Sequence, residues 1–200
     1  MKKLIKTALC LLALLQIQPL AAAESASPLA TVKLSYIDYI KENPPDDPDW
    51  AKYTLIYLND DDIPELFIDY STGVEGAVLC TVSDGKVEVV NFSHGYMLYF
   101  ERKNLCLIAG GHMDDYYERV YAIQNGEFVL LHNGEFGSED YPIQWDEEDN
   151  PIYQYFWDGE EVSKIDYELL KKSVFDESKG RNPYDDACGA DEIIDRILMF

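Results

Sequence analysis

The run Leu58-Asn59-Asp60-Asp61-Asp62-Ile63-Pro64-Glu65-Leu66 is the densest set of oxygen ligands in the chain. Calcium, a hard cation, is held by carboxylate and carbonyl oxygens offered at alternate loop positions, with an acidic side chain closing the loop. Asn59, Asp61 and Glu65 stand at the third, fifth and ninth positions of such a loop, and the Ile63 carbonyl at the seventh. Two positions depart from the pattern. The first is Tyr57, which brings no carboxylate, and the sharp turn falls on Asp62 where glycine is usual. The segment therefore has two readings: a calcium loop with Asn59, Asp61 and Glu65 as ligands, or a solvated acidic turn between strands.

A second group is Gly110-Gly111-His112-Met113-Asp114-Asp115-Tyr116-Tyr117. His112 and Asp114, two residues apart on an extended segment, can face one metal. Convergence with His94 and His132 would complete a zinc or acid–base site. The plainer reading is a turn with an exposed histidine. No G-x-S-x-G elbow, H-E-x-x-H pair, phosphate loop or dinucleotide fingerprint is present. With 38 acidic residues, carboxylate pairs can be drawn at will and carry no information about glycoside cleavage. Catalysis is left open, and the reading leans against an enzyme. Fifteen tyrosines, eight phenylalanines and three tryptophans concentrate in Tyr96–Phe100, Tyr116-Tyr117 and Tyr153–Trp157. Such faces suit sugar or peptide recognition, and ordinary sheet packing uses the same residues.

The elements that position these groups follow from periodicity. Residues 32–41 read as a helix with Leu34, Ile37 and Ile40 on its apolar side, stopped by Pro44-Pro45. The period then drops to two, with strands expected over 53–58, 66–70, 77–82, 86–92, 96–101, 105–109, 116–124, 127–132, 142–145 and 152–157. Asp84-Gly85, Asn125-Gly126, Asn133-Gly134 and Asp158-Gly159 supply the positive φ angles of tight hairpins. Ser163-x-x-Asp166 resembles a capping box before a helix carrying Ile165, Leu169, Leu170 and Val174. Asp191 is expected to cap a last helix with Ile193, Ile194, Ile197 and Leu198 on one stripe. Tight turns pair strands antiparallel. The fold expected is α+β: one domain, an antiparallel meander forming a curled sheet or a partial barrel or propeller-like sheet, with N- and C-terminal helices.

Residues 53–68, with 155–163 and the helix that follows, resemble the Asp-rich "D-x-D-G-x-P-E-L" segment of uncharacterised secreted proteins and lipoproteins of gut Gram-positive bacteria. The resemblance spans residues 34–175. It implies export and the same fold class, and it brings no assigned activity. The acidic loop is also similar to calcium loops of integrin-type propeller repeats.

Met1–Lys6 is basic, Ala8–Leu15 apolar, and Pro19-Leu20-Ala21-Ala22-Ala23 a small-residue exit. This is the pattern of a signal peptide over 1–23, cleaved after Ala23, and the apolar run is too short to span a bilayer. Cys10 lies within the apolar run rather than after it, against a lipid anchor. A short tail over 24–30 and a domain over 31–200 follow. Loss of Lys2, Lys3 and Lys6 takes the formal charge from −22 to −25, which repels nucleic acid and anionic lipid. At 13% aromatic and 47% hydrophobic residues, a folded core is expected. Cys80 and Cys106 read as core residues, with a bridge between them left open, and Cys188 as a bystander. The first functional reading is an exported, non-enzymatic binding domain for an extracellular peptide, glycan or protein, needing no cofactor. The alternatives are a calcium-stabilised structural domain and a small secreted hydrolase.

Overall fold

The computed structural model describes residues 27–72, 74–138 and 143–200. The expected signal peptide over 1–23 and the start of the expected tail lie outside them. Helix α1 runs Pro28–Glu42, one turn earlier than periodicity indicates. Ser27 caps it by accepting the Ala30 N–H, and Pro28 sits in the first turn, where its missing donor is harmless. Residues 28–30 are thus helix rather than tail.

Ten strands follow: β1 Lys52–Ile56, β2 Glu65–Asp69, β3 Ala77–Ser83, β4 Lys86–Phe92, β5 Tyr96–Phe100, β6 Leu105–His112, β7 Asp115–Gln124, β8 Glu127–Gly137, β9 Gln154–Trp157 and β10 Glu160–Val162. Helix α2 spans Lys164–Val174 and α3 spans Ala190–Met199, with two 3-10 turns between them. Every strand pairs antiparallel with its sequence neighbour except across β4 and β5, where the meander divides. The result is two open sheets, ordered β1-β2-β3-β4 and β10-β9-β8-β7-β6-β5. The chain is α+β with helices at both ends.

Alternation along the strands builds the layers. Tyr53, Leu66, Ile68, Val78 and Cys80 face α1 and α3 and pack on Tyr36, Ile37, Ile40, Ile193 and Ile197. Their neighbours Ile56, Phe67, Ala77, Leu79 and Phe92 face the second sheet and meet Met97, Tyr99, Cys106 and Ile108. On that sheet's outer side, Leu107 and Val120 pack on Phe175 and Val174 at the end of α2. The order is helices, sheet, sheet, helix.

Several sequence expectations shift. Leu34 is exposed, and Val32 and Tyr36 take its place on the buried side of α1. Asn133-Gly134 is not a turn; it lies inside β8, whose register slips between Val120 and Tyr121 of its partner strand. A Cβ at Gly134 would stand 2.4 Å from the Tyr167 hydroxyl, so the glycine is there for a ring above it. Ser163 does cap α2, accepting the Asp166 N–H. However, the helix turns Tyr167, Lys171 and Val174 to the sheet and leaves Ile165 73% and Leu169 61% exposed. Gly189, not Asp191, precedes α3. Of the expected strand over 142–145, Trp145 forms an isolated bridge with Pro151. Cys80, Cys106 and Cys188 are all buried and free. Cys80 lies on the helical side of its sheet and Cys106 between the sheets, so no bridge joins them. Cys188 belongs to the core.

The segment between α2 and α3 crosses both sheets. Arg181 exchanges backbone hydrogen bonds with Tyr99 on the outer edge of β5 (2.8 and 3.0 Å). Cys188 does the same with Tyr53 on the outer edge of β1 (2.9 and 3.0 Å). One strap thereby pairs an edge strand of each sheet.

Candidate functional site

The acidic loop folds on itself. Asp61 Oδ1 accepts the Ile63 N–H at 2.9 Å, and its Oδ2 accepts from the Asn59 amide at 2.9 Å. The Asn59 side-chain oxygen accepts the Asp61 N–H at 3.1 Å. These are the local turns that Asn and Asp form with the backbone two residues on. Glu65 points the other way. It shares strand parity with Phe67, is 1% exposed, and accepts the Leu58 N–H at 2.9 Å. Burial, with the charge of Asp61 adding, lifts its carboxyl to about 8. Tyr36 donates to the Pro64 carbonyl beside it at 3.0 Å. Asp60 and Asp62, which the alternate spacing passes over, hold a cation. The Arg102 guanidinium is 2.8 Å from Asp62 and 3.7 Å from Asp60, over the Tyr57 ring. The Arg102 and Asn104 N–H groups donate to the carbonyls of Tyr57 and Leu58. The loop thus clamps the β5–β6 turn of one sheet to the β1–β2 connection of the other. Arg102 carries no sequence signal for this role, because it is distant along the chain. Among the described residues, no group of three or more His, Cys, Asp or Glu side chains is arranged to hold a metal.

Two of the three histidines meet. His94 and His112 stack with ring centroids 4.8 Å apart and planes within 10°. His94 sits in the β4–β5 connection at φ 51°, a conformation that side chains rarely adopt outside constrained sites. Gly95 follows it because a Cβ there would stand 1.9 Å from the Ala109 carbonyl oxygen. His112 ends β6, where Met113 and Asp114, both with positive φ, make the two-residue turn to β7. The pair borders a cleft of about 350 Å³ reached also by Tyr117, Arg119, Asp115 and Glu135. No residue of the acidic loop lines it. Asp114 instead accepts from the Tyr153 hydroxyl at 2.8 Å. His132 lies apart, its Nδ1 2.8 Å from Asp158 and its ring stacked on Trp157. Partial burial works against the Asp158 charge, but His132 and the Asn133 N–H outweigh it and hold that carboxyl below its usual range.

The aromatic signal resolves into a ladder on the α2 side of the second sheet. Tyr116, Phe136 and Tyr155 are directly opposite one another on β7, β8 and β9. Their centroids are 5.1 and 5.6 Å apart, at interplanar angles of 23° and 14°. Tyr153 leans across Tyr116 and Phe136 at 54° and 47°. Phe136, Tyr153 and Tyr155 wall a cleft of about 310 Å³ rimmed by Glu118, Lys164 and Glu168. Its base is polar and fully paired. Glu118, 7% exposed, accepts from the Tyr167 hydroxyl (2.8 Å) and from Lys171 Nζ (3.0 Å). Lys171 also reaches Glu177 at 2.9 Å, and Glu177 accepts from Tyr96. Burial and the neighbouring Glu118 charge push the Tyr167 phenol well above its ordinary value. Burial opposes the Lys171 charge, and its carboxylate partners overcome it, so the ammonium is held more firmly than usual.

No protein-family model, curated protein or solved structure matches the chain.

Proposed function

We propose that this protein is an exported binding module that takes a basic peptide, or a basic segment of a partner protein, by an aromatic or large apolar anchor side chain. The supporting observation is the cleft between α2 and the Tyr116–Phe136–Tyr155 ladder. Its rings are half-buried, its volume of about 310 Å³ suits one large side chain, and its rim is charged. The near-parallel rings of the ladder spend their faces on one another. What remains for a ligand is largely ring edges, which carry the positive part of the aromatic quadrupole. That favours an apolar or aromatic side chain laid across the edges over a sugar stacked on a ring face. The formal charge, −22 for the 200 residues and −25 without residues 1–23, selects for a cationic partner and speeds its arrival. Export rests on the leader pattern of residues 1–23 and on the family resemblance.

Selection of random peptides displayed on phage against the purified domain tests this. Enriched peptides are expected to combine an aromatic residue with Lys or Arg. Tyr155→Ala and Tyr153→Ala are each expected to weaken the best peptide about tenfold, given ~1.5 kcal/mol for a lost aromatic contact. Failure to enrich any sequence, or enriched peptides indifferent to both substitutions in folded protein, would reject the reading.

A further inference from the structure

The odd-numbered residues of β7 face away from the ladder, and one of them, Arg119, is anomalous. The described arginines Arg102, Arg181 and Arg196 are each paired with a carboxylate. Arg119 is not: among the described residues no carboxylate lies within ion-pair distance of it, in a chain carrying 38 acidic residues. Its holders are neutral. Nε donates to the Asn133 side-chain oxygen at 3.1 Å, the guanidinium lies over the Tyr117 ring at 4.4 Å, and the Tyr121 hydroxyl accepts a further hydrogen bond from it. A guanidinium offers five N–H donors in a planar fork shaped for a carboxylate. Half-buried and fixed in this way, the fork is preorganised, and among the described residues its charge has no carboxylate counter-ion.

The cleft in front of it has two further features. The His94–His112 stack forms one wall, with His94 at φ 51° and the next residue, Gly95, packed closely on the Ala109 carbonyl. Asp115 and Glu135 line it as exposed carboxylates. Glu135 is directly opposite Tyr117 and therefore diagonal to Arg119 on the same face, yet it makes no ion pair with it. A fixed cation and separate anions facing one small cavity are complementary to a ligand that carries both charges. The cleft volume of about 350 Å³ exceeds what one such small molecule needs. A second cleft of about 270 Å³, lined by Asp69, Ser71, Thr72 and Tyr184, adjoins it at His94 and offers room for a longer side chain.

We propose that this cleft binds a free α-amino acid, its carboxylate on Arg119, its ammonium at Asp115 and Glu135, and its side chain along the histidine pair. The site is on the opposite face of β7 from the peptide cleft and stands independently of it.

The test is a thermal-shift screen of the twenty L-amino acids on the folded protein, followed by calorimetry. Propionate (carboxylate alone) and propylamine (amine alone) serve as control probes. At least one amino acid is expected to bind, with both controls at least tenfold weaker. Arg119→Lys, which keeps the charge and loses the fork, is expected to weaken binding at least tenfold. Asn133→Asp supplies the guanidinium with an internal carboxylate. It is expected to do the same with Arg119 intact, covering the case in which Arg119→Lys folds poorly. Glu135→Gln is expected to weaken the amino acid and leave propionate unchanged. No binding by any amino acid, or binding that Asn133→Asp leaves unchanged, overturns the proposal. Propionate or propylamine binding as tightly as the amino acid overturns it equally.

Discussion

Glu65 shows how a residue chosen by its spacing acquires a different role from its direction. Its position counts correctly for a calcium ligand, but its parity with Phe67 turns it into the core, where its acceptor serves Leu58. Buried at about 8 and near 4.5 when unfolded, the carboxyl binds its proton more tightly in the folded state. Its contribution is therefore fully present below about pH 4.5 and is lost as pH rises towards about 8. Glu65→Gln keeps an acceptor for Leu58 and removes the titration. The variant is expected to gain stability relative to the parent as pH rises from 5 to 9, by ~4 kcal/mol at the upper end, from 1.36 kcal/mol per pKa unit over the interval between 4.5 and about 8. Urea unfolding of both proteins across that range checks it, and parallel curves would refute it. The individual site residues were unevenly legible. His94 and His112 converge, whereas Asp114 and His132, expected in the same group, are taken by Tyr153 and by Asp158. Arg102 and Arg119 had no local pattern, because what distinguishes each is the partner it finds, or lacks, across the sheet.

At the level of elements, periodicity located most strands because two-residue turns such as Asp84-Gly85 and Asn125-Gly126 force positive φ wherever they occur. It misread Asn133-Gly134 because the same dipeptide answers a different demand inside β8, where Tyr167 and Trp157 crowd the glycine. It also misjudged the inner face of α2. Counting apolar residues favours Ile165 and Leu169, but the sheet presents a carboxylate at Glu118, and the helix rotates to bring Tyr167 and Lys171 to it. Lys171→Met should therefore cost more than a surface ion pair, since it strands a buried acid: about 3 kcal/mol by denaturant unfolding. Adding Glu118→Gln should recover more than half of that loss. A single variant within 0.5 kcal/mol of the parent would show the network to be an ornament.

For the whole molecule, the α+β class and the antiparallel meander were visible in the order and length of the segments. The division into two sheets was not, since nothing in Ser93-His94-Gly95 differs locally from a hairpin turn. The excess of carboxylates spreads over a small body, and their mutual repulsion is long-ranged at low ionic strength. Raising salt from about 0.01 M to about 0.5 M is expected to increase the melting temperature by a few degrees, because screening at a Debye length of ~4 Å removes most of that repulsion. A melting temperature that falls with salt would mean that pairs such as Arg181–Glu101 outweigh the excess.

Arg181 and Cys188, which bridge the outer edges of β5 and β1, follow every strand of both sheets along the chain. During synthesis both sheets can zip up hairpin by hairpin, each bond local, while these two rows of amides and carbonyls wait bare. They stay so until residue 188 has emerged. A chain halted before that point, by a premature stop or a stalled ribosome, is thus a nearly finished fold with two adhesive sides. Self-association of a form ending at residue 175, in excess of that of the chain through residue 200, is the mark it would leave.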